Sequence, residues 1–495
     1  MRELTDQEIN RLSKIDKLKE LGIDPYGSKY EVNAYSLAIK NKYQGATHEE
    51  MEEKNIIVRV AGRIVLLRNM GKAAFFHIKD SQGTIQVYIR KDEVGDEQYD
   101  LFKLADLGDI VGIEGRIMVT NTGELSVRAK QFTHLTKALR PLPEKYHGLS
   151  DIEERYRRRY LDLISNDEAL RIAFLRPKIV RGMQNYFDSL GFTEVETPVL
   201  QSIQGGATAR PFVTHHNTLD LDLYLRIATE LPLKRLLVGG MERVYEIGRL
   251  FRNEGMDPKH NPEFTTVELY QAYGDLKSMM EITEGVIKKL AKEVIKKDVY
   301  SFLGSEVDLI KPFEIVKMTD LIKKYTGVDF KNNNYSLKEA QELANKHKVP
   351  LEKHFTVGHI INAFFEEYCE KTLIQPTFVT EYPLEVSPLT KQSKEDARFV
   401  ERFELFVCGA EIANAYTELN NPIEQRKRFE AQLKERDSGN DEAYQLDEDF
   451  VEALEYGMPP AGGVGMGIDR LAMLLLEVDS VREVILFPQM KDRQQ

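Results

Sequence analysis

The stretch from Tyr245 to Tyr273, YEIGRLFRNEGMDPKHNPEFTTVELYQAY, constrains the fold more than any other part of the chain. It reads as a strand, a long loop and a second strand. Side chains two apart on a strand share a face. Arg252 and Glu254 are therefore expected to point the same way in the first strand, and Phe264, Thr266, Glu268 and Tyr270 to share a face of the second. The loop between holds Asp257, Lys259, His260 and Asn261. A half-buried structural strand would place Val, Ile or Leu on such a face. An arginine, two carboxylates, an aromatic ring and a phenol in their place imply a ligand or a solvated face.

Two later stretches have the same character. In Phe403–Asn420, FELFVCGAEIANAYTELN, Asn414, Tyr416 and Glu418 share one strand face, and the small residues Ala413, Ala415 and Thr417 share the other, where a neighbour can back closely. Glu404 and Glu411 are seven apart and would point to opposite faces of an uninterrupted strand. They converge only if Cys408-Gly409-Ala410 makes a bulge or a turn, which Gly409 permits. Converged carboxylates suit Mg²⁺, which takes oxygen ligands and is commonly bridged by phosphates. In Pro460–Leu476, PAGGVGMGIDRLAMLLL, Gly463, Gly465 and Gly467 form a glycine-rich loop before an apolar helix that begins near Ile468. A Rossmann fingerprint is disfavoured by the G-x-G-x-G spacing and by the missing strand with a terminal acid about 20 residues on.

Around these stretches the chain of 495 residues is too long for one ordinary core. Residues 1–55 read as an N-terminal helical extension, with Ile9, Leu12, Ile15, Leu18 and Leu21 on one face of a helix over 5–21. Residues 56–140 carry five short β-rich runs split by glycine turns, which suits a small barrel of the OB type. In the third run Ile85, Val87 and Ile89 alternate with Gln86, Tyr88 and Arg90. Residues 141–151, with Pro141, Pro143 and Gly148, read as a linker. From 152 to 495 helices and strands alternate. Within that span a helix is expected over 167–190, capped by Asn166 or Asp167 and kinked or divided by Pro177. A lysine-rich, mostly helical insertion is expected near 300–375.

The net charge of −12 is not that of a general nucleic-acid binder, although a modular acidic chain can carry a local basic face. No apolar run approaches the roughly 20 residues of a membrane span, and the N-terminus lacks the apolar core of a signal peptide. Two cysteines, Cys369 and Cys408, argue for a reducing compartment and against a disulfide framework or a cysteine-rich zinc site. A cytoplasmic location is the expectation.

Over nearly its whole length the sequence resembles the class II lysyl-tRNA synthetases of bacterial type. The FRNE signature at 251–254 and the following hairpin resemble motif 2, the GxGxxR arginine of motif 3 falls on Arg470, and GFTEVETPVL at 191–200 fits motif 1 with Pro198 at the diagnostic place. The resemblance implies an α+β multidomain fold, with an N-terminal OB-fold β-barrel that binds the anticodon and a catalytic domain built on an antiparallel sheet flanked by helices. It implies a homodimer, with motif 1 near 180–200 at the interface. By resemblance Arg252 and Arg470 are catalytic. Arg252 holds the α-phosphate and the amino-acid carboxylate, Glu254 reads the adenine amino group, Phe264 stacks on adenine, and His260 and Arg470 reach the γ-phosphate. Glu404 and Glu411 would hold Mg²⁺, more than one ion being expected.

GGATARPF at 205–212, THHNTLDLDLYLRIATELPLKRLLVGG at 214–240 and EIANAYTELN at 411–420 resemble lysyl enzymes in particular, whereas Ala410 stands where many members carry an arginine or another polar residue. On that pattern Glu418 with Tyr270 binds the ε-ammonium, Glu230 and the Gly206 backbone hold the α-amino group, and Asn414 holds the carboxylate. Glu268 and Tyr416 complete the pocket. A pocket for aspartate would need a cation facing the side chain, and the candidate residues offer no basic group beyond Arg252. An acidic, partly aromatic pocket suits an ammonium. The function implied is ATP-dependent activation of L-lysine to lysyl-adenylate and transfer to the 3′ end of tRNA(Lys). Arg68, Phe75 and Gln86 of the barrel are the expected anticodon contacts. Three alternatives stand beside this reading. They are another synthetase of the same subgroup, a lysyl-transfer enzyme acting on a protein, and a non-catalytic RNA-binding protein.

Overall fold

The computed structural model describes residues 3–143, 149, 151–207, 209–437 and 444–493. The chain forms two compact units, Met1–Gly148 and Leu149–Gln495. Of the expected linker, residues 144–148 and 150 lie outside the described residues.

The first unit opens with a helix, Asp6–Glu20, started by a Thr5–Glu8 capping box. Five strands follow: β1 (Ile57–Asn69), β2 (Ala73–Lys79), β3 (Thr84–Arg90), β4 (Ile110–Val119) and β5 (Leu125–Thr136). They close into a barrel in the order β1-β2-β3-β5-β4. Closure depends on β1 serving two partners. Its first half, to Arg63, pairs with β4 and its second half with β2. At the change-over a Cβ on Gly62 would stand 2.7 Å from the Lys79 carbonyl oxygen, so only glycine lets the strands cross so closely. The alternating positions Ile85, Val87 and Ile89 point into the barrel core, together with Val60, Phe76, Val111 and Phe132.

The second unit is organised by an eight-stranded sheet. Its strands are β6 (Thr193–Glu194), β10 (Arg243–Phe251), β11 (Glu263–Ala272), β14 (Glu314–Lys317), β15 (Thr377–Pro383), β16 (Phe399–Val407), β17 (Ala410–Thr417) and β18 (Ala461–Gly467). Three short strands, β7 (Leu200–Gln201), β8 (Val213–His216) and β9 (Leu221–Leu225), make a separate sheet, and β12 (Val299–Phe302) pairs with β13 (Ser305–Asp308). The large sheet runs β14-β15-β16-β17-β18-β11-β10-β6. Only the edge pairs β14–β15 and β6–β10 are parallel.

One face of this sheet is covered by helices Asp167–Ser189, Leu276–Lys289 and Ile468–Leu476, which bury Met183, Val286 and Leu471 against Leu405, Ala413 and Val464. Ala413 and Ala415 keep that packing close, and the Thr417 hydroxyl accepts from the Leu276 amide at 3.1 Å. The opposite face is left open between the hairpin ends and carries the polar residues described below.

Several expectations change at this level. Pro177 lies inside helix Asp167–Ser189 without dividing it, and Asn166 is the cap. Residues 299–317, expected within a helical insertion, form the β12–β13 hairpin and the edge strand β14. Val299 to Phe302 alternate exposed and buried, which is strand periodicity, and Gly304 supplies the turn with φ +79°. Helices Met318–Thr326, Leu337–His347 and Val357–Tyr368 follow and share a core with β15 and β16. The expected glycine-rich loop is β18, the central strand between β17 and β11.

Candidate active site

The open sheet face holds a cavity of about 410 Å³. The β10–β11 hairpin builds one wall. In β11 Phe264, Thr266, Glu268 and Tyr270 all line the cavity, as the two-residue alternation requires. Arg252 and Glu254 do not lie on a strand, because β10 ends at Phe251 and both residues begin the loop. Arg252 is anchored there by its amide, which donates to the Pro262 carbonyl at 2.8 Å. Its guanidinium carbon lies 5.1 Å from the Phe264 ring centre, in cation–π range. Its Nε is buried with no hydrogen-bond partner among the described residues, a donor left to be satisfied.

The loop delivers His260 in a defined orientation. Asp257 accepts from the His260 amide and from Nδ1, both at 2.8 Å. Nε2 then faces Arg470, whose Nη2 lies 3.0 Å away. A guanidinium only donates, so the network assigns the proton to Nδ1. Arg470 also donates to the Glu411 carbonyl at 2.9 Å, which ties the start of helix Ile468–Leu476 to β17.

The second wall is the β16–β17 hairpin. Cys408 and Gly409 form its two-residue turn, with φ of +50° and +66°. Glu404 pairs directly with Asn414, but Phe406 pairs with Glu411, so Ile412 is an extra residue on β17. This bulge places Glu411 and Asn414, three apart, on one face. Glu404 and Glu411 both line the cavity. Convergence therefore needs the turn and a bulge at Ile412, beyond the 408–410 segment that the sequence pointed to. Glu404 accepts from Tyr382 at 2.9 Å and from Arg402 at 2.5 Å. Burial raises its carboxyl above the usual range and Glu411 adds to that, whereas Arg402 opposes it.

At the other end of the cavity sit Glu230, Glu268, Tyr270, Tyr416 and, beneath them, the fully buried Glu418. The Tyr416 hydroxyl donates to Glu230 at 2.7 Å, and the Tyr270 hydroxyl to Glu268 at 3.1 Å. Burial and the neighbouring Glu230 push the Glu268 carboxyl up to about 7. Gly463 explains the glycine of the central strand, since a Cβ there would stand 2.2 Å from Glu418 Oε1 and 2.4 Å from the Tyr270 ring. Gly206, at φ +87°, lines the same end.

The absence of any cation beyond Arg252 is corrected by two residues. Lys234 is fully buried, pairing with Glu230 at 2.5 Å and with Glu418. Arg402 reaches Glu404 and also donates to Asn414 Oδ1 at 3.0 Å. Both were within reach of spacing arguments, as Lys234 follows Glu230 by one helical turn and Arg402 shares a strand face with Glu404.

The residues expected at an RNA site lie in the barrel unit. Arg68 is exposed and pairs across β1–β2 with Phe75, whose ring stacks on Tyr88 at 4.6 Å. Phe76 is the core member of the adjacent pair. Gln86 differs from expectation, because it is buried and donates to Ser126 Oγ at 2.8 Å. A parallel neighbour, β5, covers that side of β3.

Residues 151–491 match the family of class II tRNA synthetases for D, K and N, and residues 58–135 match the OB-fold nucleic acid binding domain. The lysine–tRNA ligase of Bacillus subtilis (strain 168) is 55% identical over 491 residues, covering 99% of this chain and 98% of the relative. The chain belongs to the class II lysine–tRNA ligases. The lysine–tRNA ligase of Streptococcus sanguinis (strain SK36) is 58% identical over 490 residues and that of Streptococcus pneumoniae (strain CGSP14) 56% over 492, each covering 99% of both chains. Membership places the cavity in the domain that unites the family, and the barrel in its nucleic-acid-binding module.

Proposed function

We infer that the chain activates L-lysine with ATP to give lysyl-adenylate and pyrophosphate, and then transfers the lysyl group to the 3′ end of tRNA(Lys). The observation that carries this reading is the polarity of the cavity. Among the described residues, three buried carboxylates with a single lysine gather at one end, and Arg252 and Arg470 with an aromatic platform stand at the other, beside Glu404 and Glu411. An ammonium side chain suits the first end and a nucleotide the second.

Glu418 and Tyr270 receive the ε-ammonium, Glu230 and the Gly206 backbone the α-ammonium, and Asn414 the carboxylate. Glu268 and Tyr416 hold these groups in register. Arg252 and Phe264 take the α-phosphate and the adenine, Glu254 reads the adenine edge, and His260 and Arg470 meet the γ-phosphate. The lysine carboxylate oxygen attacks the α-phosphorus as the bond to pyrophosphate breaks. Arg252 stands where negative charge develops, so catalysis is positioning plus electrostatics with no protein nucleophile. The Glu404 and Glu411 carboxylates fit Mg²⁺, a hard cation that takes oxygen ligands. Among the described residues no cluster of three or more metal-binding side chains forms, so phosphate oxygens and water would complete the coordination. Mg²⁺ would neutralise phosphate charge. Transfer follows when the tRNA terminal hydroxyl attacks the mixed anhydride and AMP leaves.

Arg68 and the Phe75–Tyr88 stack are the anticodon face, since aromatic platforms hold unpaired bases. A homodimer is supported by the exposed apolar residues Phe174, Val199, Leu200, Val213 and Leu221 near motif 1. Two free thiols support a cytoplasmic location, and among the described residues no helix is long and apolar enough to cross a membrane. The deciding experiment is ATP–pyrophosphate exchange with lysine, aspartate, asparagine and ornithine in parallel. Exchange with lysine and little with the others is expected. Exchange with aspartate or asparagine would overturn the assignment of Glu418.

A further inference from the structure

Lys234 has no place in the chemistry above, yet it stands at its centre. Its side chain is fully buried. Its ammonium touches Glu230 Oε1 at 2.5 Å and Glu418 Oε2, the two carboxylates assigned to the α- and ε-ends of the substrate. The Tyr416 and Phe450 rings flank it, their centres 5.5 and 6.0 Å from Nζ. Glu268 completes a set of three buried carboxylates. Lys234 is the one cation within ion-pair distance of any of them among the described residues. Burial disfavours charge on both members of the pair and raises the Glu418 carboxyl against the pull of Lys234, but at Lys234 the neighbouring Glu230 and Glu418 outweigh burial and hold the ammonium above the usual lysine range. Glu418 Oε1 has no hydrogen-bond partner among the described residues, which leaves it free for a donor.

We propose that Lys234 is a specificity-determining residue whose ammonium offsets one of the three carboxylates Glu230, Glu268 and Glu418, leaving two negative charges for the two ammonium groups of lysine. The inference rests on the reading that this end of the cavity binds lysine. Three uncompensated carboxylates in one buried site would take up a proton in place of part of the substrate's charge. With one of them offset, a substrate bearing a single ammonium leaves a buried carboxylate unpaired, and a substrate bearing two does not.

The test is a cycle of E268Q, K234M and K234M/E268Q, read as the KM for lysine and for ATP in pyrophosphate exchange, with folding followed by thermal melting. E268Q alone leaves one net negative charge and is expected to raise the KM for lysine roughly tenfold, the scale of one opposite charge lost from a buried site. Adding K234M restores two, so K234M/E268Q is expected to bind lysine better than E268Q, with the KM for ATP unchanged. The double variant keeps the charge balance of the pocket and is therefore expected to fold even where K234M, with an unpaired buried charge, does not. A deeper loss of lysine binding in K234M/E268Q than in E268Q overturns the proposal and makes Lys234 a packing residue, as does a K234M/E268Q chain that fails to fold beside a folded E268Q. Failure of the unmodified enzyme to exchange with lysine would instead sink the reading of the pocket.

Discussion

Glu418 and Glu268 do different work although both are buried carboxylates at one end of the cavity, Glu268 in its wall and Glu418 behind it. Glu418 gives one oxygen to Lys234 and its other has no hydrogen-bond partner among the described residues, so E418Q weakens the Lys234 pair and removes the carboxylate assigned to the ε-ammonium. A charged hydrogen bond contributes about 1.5–3 kcal/mol. E418Q is thus expected to lower kcat/KM for lysine roughly 10- to 100-fold while the KM for ATP stays put, as read by pyrophosphate exchange. Glu268 has both oxygens engaged, by the Thr229 amide and the Tyr270 hydroxyl. Its carboxyl is pushed up to about 7, so below that pH it is largely protonated, and in the proposed pocket a bound lysine would favour loss of that proton. Lysine affinity is expected to rise as pH climbs through about 7 and then level off, with ATP affinity flat across the same range. The same shift means that the folded state favours the neutral acid, so this group costs stability as pH rises from the ordinary carboxylate range to about 7. E268Q should flatten both profiles.

Two hairpins and one glycine strand turn these residues into a site, and they were unequally legible. Two-residue alternation put Phe264, Thr266, Glu268 and Tyr270 on a common face, because β11 is regular over its ten residues. The barrel was legible for the same reason, its short runs alternating cleanly. Alternation failed where the chain departs from a regular strand. It put Arg252 and Glu254 on β10, which stops at Phe251, and it could not locate the bulge at Ile412 that brings Glu411 beside Glu404. Lys234 was missed because a lysine one turn after a glutamate on a helix is ordinarily a surface pair, and its burial comes from strands distant in sequence.

The glycines of β18 looked like a nucleotide loop, yet Gly463 serves Glu418 and Tyr270. G463A would drive a methyl to 2.2 Å from Glu418 Oε1, and that carboxylate, buried on all sides, has little room to retreat. Overpacking of this kind costs about 1–3 kcal/mol. The expected result is a lower melting temperature and at least a tenfold rise in the KM for lysine, with G465A, whose added Cβ has ordinary 3.6 Å contacts, much milder.

At the scale of the molecule, two units have separate cores, and each carries one side of the function. The net charge of −12 argues against long-range attraction of RNA to the chain as a whole, so recognition has to rest on local contacts such as stacking. Within the barrel the Phe75–Tyr88 pair presents a half-buried aromatic surface, with Arg68 exposed alongside. Base–aromatic stacking contributes about 1–3 kcal/mol per base. F75A is therefore expected to raise the KM for tRNA in the charging reaction roughly 5- to 100-fold. R68A should produce a smaller, salt-sensitive rise, as a phosphate contact does. Pyrophosphate exchange, which needs no tRNA, should be unchanged in both. Q86A provides the contrast: its amide is tied to Ser126 inside the barrel, so its loss is expected to lower the melting temperature more than it weakens tRNA binding. An F75A variant that loses lysine activation along with charging would show that the two units do not act separately. A variant that keeps both reactions intact would remove the stacked pair from the tRNA interface and leave the anticodon face to be sought elsewhere on the barrel.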